Sequence, residues 1–145
     1  MPAGRLRPNL RKGNRTMPKK IIDTGSSLGP YSSAVVAGNH LYVAGHCGFL
    51  PGTPNIAEGG LEAEFRQTLK NLEATILQAG FRLEDVVSTT CYLRDMDHWP
   101  LLNKIYSGYF TQDVPARAAV AVVGLPLGAN LEITCVAWRD DTGTN

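Results

Sequence analysis

PARAAVAVVGLPLGANLEIT, residues 115–134, is the stretch whose reading decides the fold. It divides into two short strands, Arg117–Val123 and Leu131–Trp138, joined by a loop that holds Gly124, Pro126 and Gly128. Side chains alternate across a strand, so Arg117, Ala119, Ala121 and Val123 share one face. Arg117 is then a single guanidinium at the edge of a small, apolar surface. On the second strand Leu131, Ile133, Cys135 and Ala137 share a face, and Glu132 and Thr134 point the other way. Arg and Glu are rarely buried unless paired, so each faces a cleft, a partner chain or the other. Two readings stay open: a structural Arg117–Glu132 pair across neighbouring strands, and a functional site, since ion-pair networks imitate active sites in sequence.

Working outward, the 145 residues, 43% of them hydrophobic, suit one domain with a sizeable core. There is no apolar run long enough to span a membrane. Cys47, Cys91 and Cys135 are odd in number and lie in or beside apolar segments, which points to free thiols in a reducing compartment, hence a cytoplasmic protein. The net charge of +1 hides an asymmetry. Residues 1–20 carry seven basic side chains and no acid, whereas the remainder has seven basic against thirteen acidic ones. The body therefore lacks the basic patch of a nucleic-acid binder. Residues 1–19, with Pro2, Gly4, Pro8 and Gly13 and no periodicity, are expected to be a disordered basic tail. Two origins fit it: an organelle-targeting segment, although it has no apolar helical face, or sequence upstream of a physiological start at Met17. The folded domain is assigned to residues 20–139, and residues 140–145 to a flexible C-terminus.

In chain order, a strand at Lys20–Asp23 leads into a turn-rich stretch, Thr24–Pro30, and two β runs, Ser33–Ala37 and His40–Ala44, flank Gly38-Asn39 as a hairpin. Leu61–Ala79 reads as a helix, with Leu61, Phe65, Leu69, Leu72, Ile76 and Leu77 on one stripe, Gly80 as its stop, and Glu62, Glu64, Arg66, Lys70 and Glu73 as its solvated side. Val86–Leu93 is a third β run. A second helix starts with Asp97 as N-cap and Pro100 in its first turn, and ends before Pro115. The order gives an α+β fold, a mixed sheet with two helices on one face.

Most catalytic constellations are absent: there is no phosphate loop and no dinucleotide fingerprint. His46 and Cys47 are adjacent in an extended segment and point to opposite faces, so they do not form a nucleophilic pair. Asp95, Asp97 and His98 resemble metal ligands, but helix capping explains Asp97 and no Cys or His partner sits at matching spacing. Tyr106, Tyr109 and Phe110 read as core aromatics. No metal and no cofactor is called for.

Several motifs carry a resemblance: Leu28-Gly29-Pro30-Tyr31, the strand ending Val43-Ala44-Gly45, the Leu61–Gly80 helix, Thr89–Asp95, Asn103 followed by Tyr106 and Phe110, Pro115-Ala116-Arg117, and Leu131-Glu132-Ile133. From about Ile21 to Arg139 the chain resembles the reactive intermediate deaminase (RidA, YjgF-like) family. The resemblance implies a chorismate-mutase-like fold assembled as a homotrimer with a central barrel and active sites in clefts between subunits. It implies hydrolytic deamination of 2-imino and enamine acids, such as 2-aminoacrylate and 2-iminobutanoate, to 2-oxo acids and ammonia. By the same resemblance Arg117 holds the substrate carboxylate and Glu132 positions or activates water. Tyr31 and Asn103 line the pocket, and the Gly45 backbone hydrogen-bonds there. The chain departs from the family pattern at Ala44, where Ser or Thr is common, at His46 for Gln, at Ala119 for Cys, and at Val123 for a small or basic residue. These departures bear on the size of the substrate side chain.

The chemistry agrees with the residues. Arg has the planar fork that grips a carboxylate through two bonds, and a protonated imine carbon is electrophilic without a metal or a covalent nucleophile. Three alternatives stand beside this one: a family member acting on a different catabolic imine, a non-catalytic regulatory trimer that binds small carboxylates, and an RNA-acting protein. The last conflicts with the acidic body.

Overall fold

The computed structural model describes residues 18–140. The expected disordered tail, except for residues 18–19, and the expected flexible C-terminus, except for Asp140, lie outside the described residues. β1 (Lys20–Ile22), β2 (Ala34–Ala37) and β3 (His40–His46) form an antiparallel meander, with Ala37 paired to His40 across the Gly38-Asn39 turn. Then come α1 (Leu61–Gln78), β4 (Val86–Leu93), α2 (Trp99–Tyr109), β5 (Ala116–Ala121) and β6 (Leu131–Trp138). The six strands make one sheet in the order β1-β2-β3-β6-β4-β5. β4 and β5 are parallel, with α2 as their crossover, and every other pair is antiparallel. Both helices pack on one face, so the expected α+β mixed sheet is the fold this chain adopts. No helix among the described residues is long and apolar enough to cross a membrane.

The opening stretch departs from its reading first in strand order: β5 and β6 are not neighbours, because β4 lies between them. The alternation of β6 explains its place. Leu131, Ile133, Cys135 and Ala137 are all essentially buried, and a strand with four buried apolar positions gains most when flanked on both sides. β5 offers mainly Ala and Val, stays largely exposed and takes the edge. It also ends at Ala121, short of Val123, whose side chain is fully exposed.

On α1, Phe65, Leu69, Leu72 and Ile76 are buried against the sheet, together with Leu102, Ile105 and Tyr106 from α2. Leu77, placed by sequence on the same stripe, points outward and is exposed. Gly80 ends the helix by taking φ +83°, a left-handed value that costs glycine nothing. Its N–H donates to the Leu77 carbonyl and that of Phe81 to the Ile76 carbonyl, the paired bonds of a Schellman cap. Arg139, from the end of β6, donates to the Gly80 carbonyl and lies over the Phe81 ring at 4.7 Å, fastening the cap to the sheet. The second helix begins later than expected. Asp95, not Asp97, makes the cap, accepting the Asp97 N–H at 2.8 Å, and a 3-10 turn over Met96–His98 runs into α2.

Glu64 corrects the reading of the solvated side of α1. It is buried, and its two carboxylate oxygens accept the backbone N–H and the side-chain amide of Asn130, each at 3.0 Å. The loop after β3 covers it so closely that a Cβ at Gly48 would lie 2.3 Å from the Glu64 carbonyl oxygen. Helical periodicity reports only the face turned to the sheet, and cannot anticipate loops laid over the first turn. Because both Asn130 donors lose their acceptor, Glu64→Ala is expected to lower the unfolding free energy by about 3 kcal/mol. Glu64→Gln, in which a flipped Asn130 amide can restore the pair, should recover most of that loss. Denaturant unfolding of the two variants checks the order.

Candidate active site

Arg117 stands on β5 opposite Thr89 of β4 and turns to the helix side. Asn103 and Tyr106, three residues apart on α2, share a helix face and meet it there. The Arg117 Nη2 donates to Asn103 Oδ1 at 2.7 Å, and its guanidinium carbon lies 4.8 Å from the centre of the Tyr106 ring. The Tyr106 hydroxyl is in turn bonded to Thr89 Oγ1 at 2.8 Å, which fixes the ring as a platform. Among the described residues Arg117 makes no ion pair.

Glu132 belongs to the other face. It sits on β6 opposite Tyr92 and alternates out of the buried set. A structural pair with Arg117 across neighbouring strands is therefore ruled out by the fold, because β4 intervenes and the two side chains leave opposite faces of the sheet. The Glu132 carboxylate lies directly against Gly45. A Cβ at Gly45 would fall 2.6 Å from Glu132 Cδ and 2.9 Å from each oxygen, so glycine at this strand end makes the room the carboxylate occupies. The Cys47 thiol donates to Glu132 Oε1 at 3.7 Å. Burial, reinforced by the Glu132 charge, pushes the Cys47 thiol far above its ordinary range, so it remains a thiol and supplies no thiolate. Burial likewise lifts Cys91 to about 11 and Cys135 to about 12, and all three cysteines are free.

Tyr31, Gly45 and Glu132 line one cavity of about 490 Å³, together with Cys47, Leu50 and Leu127. Asn103 and Arg117 do not line it. The five expected site residues thus form two groups within one chain, the Arg117–Asn103 pair and the cleft lined by Tyr31, Gly45 and Glu132. A second hollow of about 820 Å³, bordered by Arg82, Val114 and Trp138, holds none of the five.

His46 and Cys47 diverge as the extended segment requires. The His46 Nδ1–H donates to the Ala44 carbonyl at 2.6 Å, so its Nε2 accepts from the Thr75 hydroxyl at 2.8 Å. Both nitrogens serve the strand end that carries Gly45. Among the described residues no group of three or more His, Cys, Asp and Glu side chains is placed to hold a metal.

The family described as endoribonuclease L-PSP matches residues 22–139. The chain belongs to the RidA/YjgF family. A RutC family protein of Pyrococcus horikoshii is 38% identical over 125 residues, covering 84% of this chain and 99% of that protein. The 2-iminobutanoate/2-iminopropanoate deaminase of Mus musculus is 38% identical over 122 residues, 82% of this chain and 90% of the mouse protein. The crystal structure of RidA from the Antarctic bacterium Psychrobacter sp. superposes with a TM-score of 0.78 at 35% identity, over 83% of this chain and 99% of that one.

Three residues that touch these side chains or line the cavity escaped the sequence reading. Tyr106 is a core aromatic as expected, but it is also the platform for Arg117, and its three-residue spacing from Asn103 was the available signal. Cys47 touches Glu132 because the irregular pairing of β3 with β6 between Val43 and His46 brings the strand end round, which no spacing announces. Leu127 enters the cavity through a turn whose conformation the sequence does not display.

His46 generates a pH prediction. Burial lowers its pKa below the ordinary 6.5, so in the window just below that value the unfolded chain binds a proton the native protein does not. Stability should then be full above pH 7 and fall as the pH drops through about 6.5. His46→Gln, which can keep both hydrogen bonds, should flatten that slope. Melting temperatures of both proteins between pH 8 and 5.5 provide the check.

Proposed function

We propose that this RidA/YjgF family protein is a hydrolase that deaminates reactive 2-imino and enamine acids, 2-aminoacrylate and 2-iminobutanoate among them, to 2-oxo acids and ammonia. The observation that carries the reading is the state of Arg117. Its guanidinium is oriented by the Asn103 oxygen and the Tyr106 ring, both neutral, with no carboxylate among the described residues to neutralise it. Such a group is prepared for a carboxylate from outside, in a contact worth about 1.5–3 kcal/mol. The naming of mammalian relatives as imine deaminases supports the same conclusion.

Because Arg117 and Asn103 leave one face of the sheet and Tyr31, Gly45 and Glu132 gather elsewhere, the complete site joins the first group of one subunit to the second group of another. A homotrimer with a central barrel provides this arrangement. The sheet face away from the helices favours it, since Tyr42, Val120 and Trp138 leave large apolar area exposed there.

In the joined site Arg117 holds the substrate carboxylate, Tyr31 and Asn103 border it, and the Gly45 backbone offers a hydrogen bond. Glu132 aims a water at C2 of the iminium and takes its proton as the C–O bond forms. The C=N electron pair moves to nitrogen, giving a carbinolamine. Glu132 returns the proton to nitrogen and then accepts the hydroxyl proton as the C–N bond breaks and the carbonyl forms; ammonia departs and carries that proton away as ammonium. A positioned base of this kind contributes about 10²–10⁴-fold. RNA cleavage, suggested by the wording of the family description, would require phosphate contacts, but beyond residue 20 the chain has seven basic against thirteen acidic side chains.

The deciding measurement is a coupled assay in which a dehydratase makes imines from serine or threonine and 2-oxo acid release is timed. Wild-type protein should accelerate release, and Arg117→Ala should abolish the acceleration with the fold intact. Glu132→Gln should lower the rate by about 10²-fold or more while binding an unreactive carboxylate analogue nearly as well. Saturable binding of 2-oxo acids without any acceleration would instead establish the non-catalytic regulatory trimer. Subunit mixing tests the assembly. Arg117→Ala and Glu132→Gln trimers, each inactive, should regain part of the activity after exchange, because mixed trimers contain intact sites. A stable monomer in sedimentation at micromolar concentration would overturn the shared site.

A further inference from the structure

We infer that Cys47 is a positioning residue for Glu132: its thiol holds Oε1 of the carboxylate and leaves Oε2 to orient the attacking water. This rests on the deaminase reading above and deepens it at the same carboxylate.

The setting of the carboxylate is the first observation. A Cβ at Gly45 would lie 2.6 Å from Glu132 Cδ and 2.9 Å from each oxygen. With the carbon nearest and the oxygens equally distant, the carboxylate lies flat against Gly45, and only other neighbours distinguish its two oxygens. Among the described residues the Cys47 thiol is the hydrogen-bond donor to Glu132, with Sγ 3.7 Å from Oε1, and Oε2 receives none. The last torsion of a glutamate is broad and two-fold, so a donor fixed on one oxygen selects one orientation. A strong charge-assisted donor at that place would draw electron density from the carboxylate and weaken it as a base. A thiol is a weak donor and orients Oε1 at little cost to Oε2.

How the thiol is aimed is the second observation. Residues of α1 hold the backbone on both sides of it. Gln67 Nε2 donates to Asn71 Oδ1 at 2.7 Å, which turns the Asn71 amide so that its Nδ2 donates to the carbonyls of Cys47 at 2.9 Å and Phe49 at 2.8 Å. One turn further on, the Thr75 hydroxyl holds the His46 ring. Gly48 is pressed against the Glu64 carbonyl, and its own carbonyl accepts the Ala57 N–H at 2.9 Å. Cys47 is 7% exposed within the one chain, and a neighbouring subunit can only cover it further, so the contact does not depend on the assembly. Burial and the negative charges of Glu132 and Glu64 keep the proton on sulfur, and the thiol is therefore a standing donor.

The test compares Cys47→Val, which keeps apolar bulk and removes the donor, with Cys47→Ser, which keeps a donor and loses apolar bulk. In hydrolysis of dehydratase-generated imine, Cys47→Val should lower kcat by about fivefold with KM level, because Arg117 still holds the substrate. Cys47→Ser should stay within about twofold of the wild-type kcat. The reverse pattern, loss in Cys47→Ser and recovery in Cys47→Val, identifies a packing role and overturns the proposal. So does an unchanged kcat in both variants, or a change confined to KM. Infrared spectra read the contact without turnover. The S–H stretch that disappears in Cys47→Val should move to higher frequency in Glu132→Gln, since a neutral amide oxygen is the weaker acceptor, and a band that stays in place overturns the proposal. If wild-type protein accelerates no imine, the deaminase reading fails by itself, and the infrared shift alone decides whether the thiol holds the carboxylate.

Discussion

The pairing of β6 with β3 on one side and β4 on the other is the constraint on which the rest of this structure depends. A strand bonded along both edges has its side-chain alternation locked, since a slip of one residue would exchange its two faces. Leu131, Ile133, Cys135 and Ala137 are thereby committed to the layer shared with α1 and α2. Glu132 is committed to the opposite face with equal firmness. The Glu132 carboxylate is positioned by the hydrophobic burial of its neighbours, and it costs the core no desolvated charge.

Arg117 is held by other means. At an edge strand it lacks that double lock, and its orientation comes from a hydrogen bond to Asn103 and from the face of Tyr106, itself bonded to Thr89. None of these partners carries a negative charge. Within the chain the guanidinium is thus oriented without being neutralised. Separation of Arg117 and Glu132 onto opposite faces prevents their mutual collapse within one chain.

Burial on the helix side explains two further features. The Glu64–Asn130 clamp is a charged group kept inside because both oxygens receive N–H donors, and it anchors the loop that presents Leu127. His46, neutral by burial, ties the end of β3 to Thr75 of α1, so the Gly45 segment that faces Glu132 is braced from behind. The cavity wall is therefore rigid where it meets the carboxylate and apolar where it meets the open space.

The sequence by itself determined the α+β class, the two helices and the six strands to within a residue or two at most ends, because periods of 2 and 3.6 are properties of local chain geometry. It also singled out Arg117 and Glu132, since a charge inside an apolar alternation stands out wherever the strand lies. Tertiary structure alone decided the order of the strands, because pairing depends on which strand gains most from burial on both sides, and nothing local records that comparison. For the same reason the Arg117–Glu132 pair across adjacent strands was plausible in sequence and absent in space. The burial of Glu64, the contact of Cys47 with Glu132 and the left-handed turn at Leu127 were equally out of reach. Each is set by loops from distant parts of the chain that meet over an element, and a linear pattern contains no measure of what will be laid on top of it.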